Sequence, residues 1–383
     1  MNERRAEPWW RARRDELLSL LGARDCAYVY HLPAIAAQAR ILRGLRSIGR
    51  VLYALKANPH PEVLRTVASA GCGFECVSRA EVEHALETVP GLAREWILFT
   101  PNFAPRTEYQ WALDSGIRVT VDNLFVLRRW APLFAGREIL LRLDATGGHG
   151  HHEKVRTGGR HSKFGVPPEE FADLAGAVAA CGARVVGLHA HGGSGNFDLA
   201  GWLGPARVLA ENSAAFPGAC ILNLGGGLGV PDRPGQAPFD LAALDTGLAE
   251  FHASHPSFEL WLEPGRFIVA EAGVLLARVT QTKGKGDKRY VGVATGMNSL
   301  IRPALYGAWH EIVNLTRLAE PANETCTVVG PICESGDELG RDRVLARCEE
   351  GDVLLIAQAG AYGHAMASRY NLREPAVELV VSA

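Results

Sequence analysis

Eight short runs of apolar and β-branched residues alternate with helical stretches between residues 51 and 263. The runs are Val51–Lys56, Gly73–Cys76, Trp96–Thr100, Arg118–Val121, Glu138–Leu143, Val185–His191, Cys220–Leu224 and Glu259–Glu263. Segments such as PEVLRTVASAG, RAEVEHALETV, PEEFADLAGAVAACG and FDLAALDTGLAEFHASH lie between them. Their apolar residues recur at the spacing of one helix face. Strands alternating with helices imply a parallel sheet with right-handed crossovers. Eight such units close into a (β/α)8 barrel of the TIM type.

After Glu263 the texture changes. GVLLARVTQTKGKGDKRYVGVATG, TCTVVG, GDVLLIAQAG and AVELVVSA are strand-like, with KGKGDK as a hairpin turn. This predicts a mostly antiparallel β domain over residues 271–383, following a barrel over 25–270. CAYVYH, within residues 25–32, is a candidate strand for that β domain. Residues 1–24 form a helical segment with Trp9, Leu17, Leu18 and Leu21 on one face.

Hydrophobic residues make up 47% of the 383, enough to bury a large core. Forty basic side chains balance 42 acidic ones, leaving a net charge of −2. No basic excess exists to neutralise nucleic-acid phosphates or an anionic membrane. No apolar run approaches the ~20 residues of a membrane span, and the N-terminus lacks a secretory signal's apolar core. The eight cysteines include no CxxC pair, which reads as reduced thiols in a cytoplasmic protein.

A barrel builds its chemistry where its strands end. Lys56 ends the first run, His191 the sixth and Glu263 the eighth, while the seventh runs into Gly225, Gly226 and Gly227. A lysine at the end of an apolar strand either reaches solvent or bonds a cofactor aldehyde as a Schiff base. Its company at the other strand ends favours the cofactor. GGGLG suits a phosphate better than a dinucleotide, because its strand is seventh and Pro231 follows at once. Glu263 can hold a proton on a ring nitrogen, and Arg266 of EPGR can reach a phosphate or carboxylate. His191 can stack on an aromatic ring, with Ser194 donating to phosphate. A metal on His189 and His191, or on the loop carrying His149, His151, His152 and His161, is the weaker reading, because no ligand set has standard spacing.

In order, YALKAN, HGGS, GGGLG, EPGR, CESGD and AGAYG resemble the motifs of the fold-type III pyridoxal-phosphate decarboxylases. Among them the diaminopimelate decarboxylases are the most similar, over about residues 26–380. The resemblance implies an alanine racemase-like barrel plus β domain with pyridoxal 5′-phosphate as cofactor. It implies that Lys56 carries the cofactor, His191 stacks on its ring and Glu263 pairs with its pyridine nitrogen. Ser194, Gly225, Gly226, Gly227, Gly265 and Arg266 are then expected around the phosphate and substrate, and Tyr362 at both cofactor and substrate. Cys333 is expected to give a proton across a homodimer interface, so that the two sites are shared.

Glu334 follows Cys333 here, where ornithine and arginine decarboxylases of the superfamily have Asp. Substrate contacts are then expected from Glu334 to a distal ammonium, and from Arg302 and Tyr306 to a distal carboxylate. Arg266 and Tyr362 join them. The implied reaction is decarboxylation of meso-2,6-diaminopimelate to L-lysine, the last step of lysine biosynthesis. Decarboxylation of lysine, ornithine or their D-forms is the alternative within the class, and a non-catalytic cofactor-binding relative the alternative outside it. The chain departs from the family at Glu75, where Asp is usual, and in lacking the common Asn-Pro after the fifth run. It also ends soon after AVELVV, like the decarboxylase half of fused aspartate kinase–decarboxylases.

Overall fold

The computed structural model describes residues 7–145 and 162–382. His149, His151, His152 and His161 lie outside the described residues. The chain forms two compact units, one of residues 36–230 and 237–268, the other of residues 1–35, 231–236 and 269–383.

Strands are numbered along the chain, β1 being Cys26–His31. The first unit is a closed parallel barrel of β2 (Ile48–Ala54), β3 (Gly73–Cys76), β4 (Ile97–Phe99), β5 (Arg118–Val121), β6 (Glu138–Arg142), β7 (Arg184–His189), β8 (Ile221–Asn223) and β9 (Glu259–Leu262). All eight expected runs are barrel strands, and several end earlier than the apolar pattern suggests. Four of the helices after the strands start at side-chain caps. Ser78 Oγ accepts from Glu81 N–H at 3.2 Å, while the Glu81 carboxylate accepts from Val77 N–H at 2.8 Å. Asn123 and Asp240 cap two further helices. Such caps satisfy N–H groups that a helix start leaves unpaired.

The barrel interior is solid. Leu52, Leu98, Leu140 and Ile221, from alternate strands, pack with Trp261, as layered TIM-type interiors do. Gly187 on β7 makes room for this layer, since a Cβ there would lie 2.8 Å from that of Ile221. Arg50 stacks its guanidinium 4.6 Å from the Trp96 and Trp261 rings.

The second unit is an eight-stranded sheet. Beyond β1 it holds β10 (Gly273–Lys285), β11 (Lys288–Val293), β12 (Ile312–Asn314), β13 (Glu324–Val329), β14 (Glu338–Leu345), β15 (Val353–Ile356) and β16 (Val377–Val381). β10 is its spine, antiparallel to β1, β11 and β15. Two pairings, β1 with β16 and β11 with β13, are parallel, so the sheet is mixed. Gly286 closes the β10–β11 hairpin at φ +61°. The N-terminal segment is two helices, Trp9–Ala12 and Arg14–Leu21, broken at Arg13. Trp10, Leu17 and Leu21 are fully buried against Val29, Val274, Leu276 and Leu355. Trp9 and Leu18, half-buried, pack against the same cluster, and Trp9 also stacks on His31 at 4.7 Å and donates to the Glu271 carbonyl. Among the described residues no helix is long and apolar enough to cross a membrane.

Candidate active site

The C-terminal ends of the barrel strands gather the expected polar groups. Lys56 is not on β2 itself but in a 3₁₀ turn, Leu55–Ala57, that follows it. The strand pattern misplaces it because the apolar run continues through a turn that is also buried. Gly265 of the EPGR turn packs on this segment: a Cβ there would lie 2.9 Å from that of Ala57. Lys56 Nζ forms an ion pair with Glu75 Oε2 at the end of β3. The other Glu75 oxygen accepts from the Thr100 hydroxyl. Glu75 is almost fully buried while the lysine side chain is 40% exposed, so a buried carboxylate holds a side chain that solvent still reaches.

Glu263 follows β9 and is buried. Asn223 Nδ2 donates to its Oε1 at 2.7 Å, and His189 Nε2 lies 3.1 Å from its Oε2. Burial alone would push its carboxyl upward. His189, Lys56 and His191 outweigh that and hold it well below the usual carboxylate range, so Glu263 is ionised at neutral pH. His191 lies two residues past the end of β7. Burial, aided by the Arg142 cation and opposed by Glu263, pushes its imidazole down to about 3, so it is neutral at physiological pH. Its Nδ1 accepts from Gly226 N–H at 3.3 Å, which fixes the ring's rotation.

The glycine turn is shaped by close approach. A Cβ on Gly226 would sit 2.2 Å from the Glu263 carbonyl oxygen, and one on Gly227, at φ +94°, 1.9 Å from that of Gly193. Gly225, at φ +68°, donates its N–H to Asn223 Oδ1 at 3.0 Å. The N–H groups of Gly225 and Gly226 are therefore engaged within the protein. These two glycines set the turn. Close by, Arg266 Nη2 donates to Ser194 Oγ at 3.3 Å, placing a cation and a hydroxyl together.

Sequence reasoning missed three contributors. Asn223 is a fully buried amide at the end of β8. Thr100 orients Glu75. Arg142, the last residue of β6, faces Asp122, Glu263, Glu75 and Asp144, whose charges partly offset the lowering of its pKa by burial. Its guanidinium also lies 4.6 Å from the Phe164 ring centroid. The available signal was a polar side chain closing an apolar run, in RLD and in LNLGGG, the same signal that marked Lys56 and Glu263. His189 and His191 are engaged separately, one with Glu263 and one with Gly226.

The remaining candidates belong to the β unit. Arg302 is buried and its guanidinium lies 5.9 Å from the Tyr306 ring centroid. Tyr362 adopts φ +55°, rare for a residue with a side chain, within the closely packed AGAYG turn. Cys333 and Glu334 are exposed on a tight turn. Asp337 organises that turn, accepting from Met297 N–H at 2.6 Å and Ile332 N–H at 2.7 Å. Asn371 Oδ1 pins it from the other side, accepting from Cys333 N–H at 2.7 Å.

Residues 34–270 match the family model described as pyridoxal-dependent decarboxylase, pyridoxal binding domain. The diaminopimelate decarboxylase of Methanothermobacter thermautotrophicus is 38% identical over 356 residues, covering 89% of this chain and 82% of that protein. That of Deinococcus radiodurans is 35% identical, covering 92% of this chain and 89% of that protein. The crystal structure of diaminopimelate decarboxylase from Helicobacter pylori complexed with L-lysine superposes with a TM-score of 0.86 at 29% identity, covering 96% of this chain and 93% of that chain.

Proposed function

We propose residue roles for a chain that belongs to the pyridoxal-dependent decarboxylase family and, within it, to the diaminopimelate decarboxylases. The reaction is the decarboxylation of meso-2,6-diaminopimelate to L-lysine and CO2, with pyridoxal 5′-phosphate as cofactor. The observation that carries it is the cluster at one end of the barrel: a half-open lysine on a buried carboxylate, an ionised Glu263 and a neutral His191 beside a glycine turn. That donor set suits an aldehyde, a pyridine nitrogen and a flat aromatic face.

Bound pyridoxal 5′-phosphate supplies an aldehyde for amines and a protonated ring that accepts the electron pair left as CO2 departs. The protein does the rest. Lys56 holds the cofactor between turnovers, and Glu75 Oε2 is the base that takes the proton its ammonium must shed. Glu263 faces the ring nitrogen and His191 its plane. Ser194, Arg266 and the turn of Gly225, Gly226 and Gly227 surround the phosphate, with Gly265 allowing the EPGR turn to close in. Arg266 also reaches the substrate.

Tyr362 touches cofactor and substrate. Arg302 grips the distal carboxylate of the substrate bidentately, with Tyr306 adding a hydrogen bond, and Glu334 pairs with the distal ammonium. Cys333 protonates the carbon that has lost CO2. Its exposure on an ordered turn supports a homodimer in which each site takes Cys333 of the partner subunit. All eight cysteines are free, in keeping with a cytoplasmic protein.

CO2 release from meso-diaminopimelate, lysine, ornithine and arginine tests the reading. Turnover with diaminopimelate alone is expected. Turnover of ornithine with diaminopimelate inert would overturn the role of Arg302.

A further inference from the structure

We propose that His189 is a positioning residue for the cofactor, because its Nε2–H holds Glu263 as an ionised, correctly turned acceptor and so keeps the proton on the cofactor's ring nitrogen. This rests on the assignment of Glu263 to that nitrogen.

His189 is the last residue of β7 and is 1% exposed. Its Nε2 lies 3.1 Å from Glu263 Oε2. Its Nδ1 is buried with no hydrogen-bond partner among the described residues. The tautomer follows: a proton on Nε2 meets a carboxylate, whereas one on Nδ1 would be buried with nothing to accept it. Asn223 occupies the other carboxylate oxygen at 2.7 Å. Each Glu263 oxygen thus already has a donor. A carboxylate oxygen has two lone-pair sites, so each can accept once more.

The consequence concerns one proton shared by two atoms. A ring nitrogen facing Glu263 and the carboxylate itself compete for it, and the proton rests on the more basic. Every hydrogen bond donated to the carboxylate lowers its basicity and leaves the proton on the ring. Lys56, whose charge also depresses Glu263, adds to this. Removing the His189 donor lets the proton move from ring nitrogen to Glu263 with no change in total charge. The ring then becomes a weaker electron sink.

The experiment is the ¹⁵N resonance of ring-labelled pyridoxal phosphate bound to the holoenzyme, read alongside kcat. His189→Gln keeps an N–H at about the same reach and should hold the wild-type protonated-ring resonance. His189→Leu removes the donor and His189→Asn shortens it. Both should move the resonance toward that of a neutral ring and lower kcat by about tenfold, the scale of an outer-shell partner's loss. His189→Asn decides the matter if the leucine variant does not fold by circular dichroism. Glu263→Gln is the reference and should give the neutral-ring resonance. If Glu263→Gln moves the resonance and the His189 variants do not, or if Gln behaves like Leu, the role of His189 is overturned. If Glu263→Gln itself changes nothing, the assignment of Glu263 fails instead.

Discussion

The barrel mouth and the β unit hold their candidate residues in opposite ways. At the mouth, each ionisable group is met by a polar group from a different strand end: Lys56 by Glu75, Glu263 by Asn223 and His189, His191 by Gly226. In the β unit, Asp337 and Asn371 organise the backbone of a turn, while Cys333 and Glu334 point out from it exposed. The first arrangement is preorganised for a ligand that stays. The second fixes a loop and leaves its side chains available, which suits groups needed only during a reaction. On the roles proposed above, this contrast assigns cofactor binding to the barrel and proton delivery to the β turn.

The strongest way to break this division is Lys56→Ala. It should abolish the visible cofactor band and lower kcat by about 10³-fold, or ~4 kcal/mol. A variant that kept full turnover would remove the lysine from the mechanism. Cys333→Ala should cost about 10²-fold in kcat, the usual worth of a positioned general acid, yet leave the cofactor spectrum unchanged. A lost spectrum would place Cys333 in cofactor binding and erase the contrast. Mixing the two inactive variants sharpens it further. With randomly exchanging subunits and shared sites, about a quarter of wild-type activity should return, whereas sites built within one subunit would return none.

Smaller effects probe the frame. Gly227→Ala adds a Cβ 1.9 Å from the Gly193 carbonyl oxygen at a left-handed backbone. A loss of about 2 kcal/mol in urea unfolding is expected, together with weaker phosphate binding. The least is a pH slope. His191 drops from 6.5 to about 3 on folding. The unfolded chain therefore takes up a proton that the folded site refuses, and stability falls as pH drops from about 6.5 toward 3. Glu263, lowered on folding from 4.5, acts in the same direction in more acid solution. Comparing urea midpoints at pH 7 and pH 5, His191→Phe should narrow the gap. An unchanged gap would mean that His191 is not buried as described.

Much of this was legible because strand-end chemistry leaves a local trace. A run such as YALK or LWLE closes on a charge that an apolar strand does not otherwise want. The barrel strands were readable for the same reason, since parallel strands buried on both faces are nearly continuous apolar runs. The strand limits were not, because a 3₁₀ turn buried like a strand carries the same pattern, which is how Lys56 was put on β2. The parallel pairings of β1 with β16 and β11 with β13 were missed as well. Pairing direction depends on where distant segments meet, which period-2 alternation does not encode. Asn223 and Arg142 escaped for another reason: each looks like an ordinary polar residue until its buried partners are in place.

The covalent anchor can be tested by reducing the holoprotein with borohydride, digesting it and locating the pyridoxyl group by mass spectrometry. The account places the label on the peptide containing Lys56, and expects Glu75→Gln to slow its appearance. A label confined to Lys163 or to the hairpin lysines Lys283, Lys285 and Lys288, with Lys56 unmodified, would contradict it.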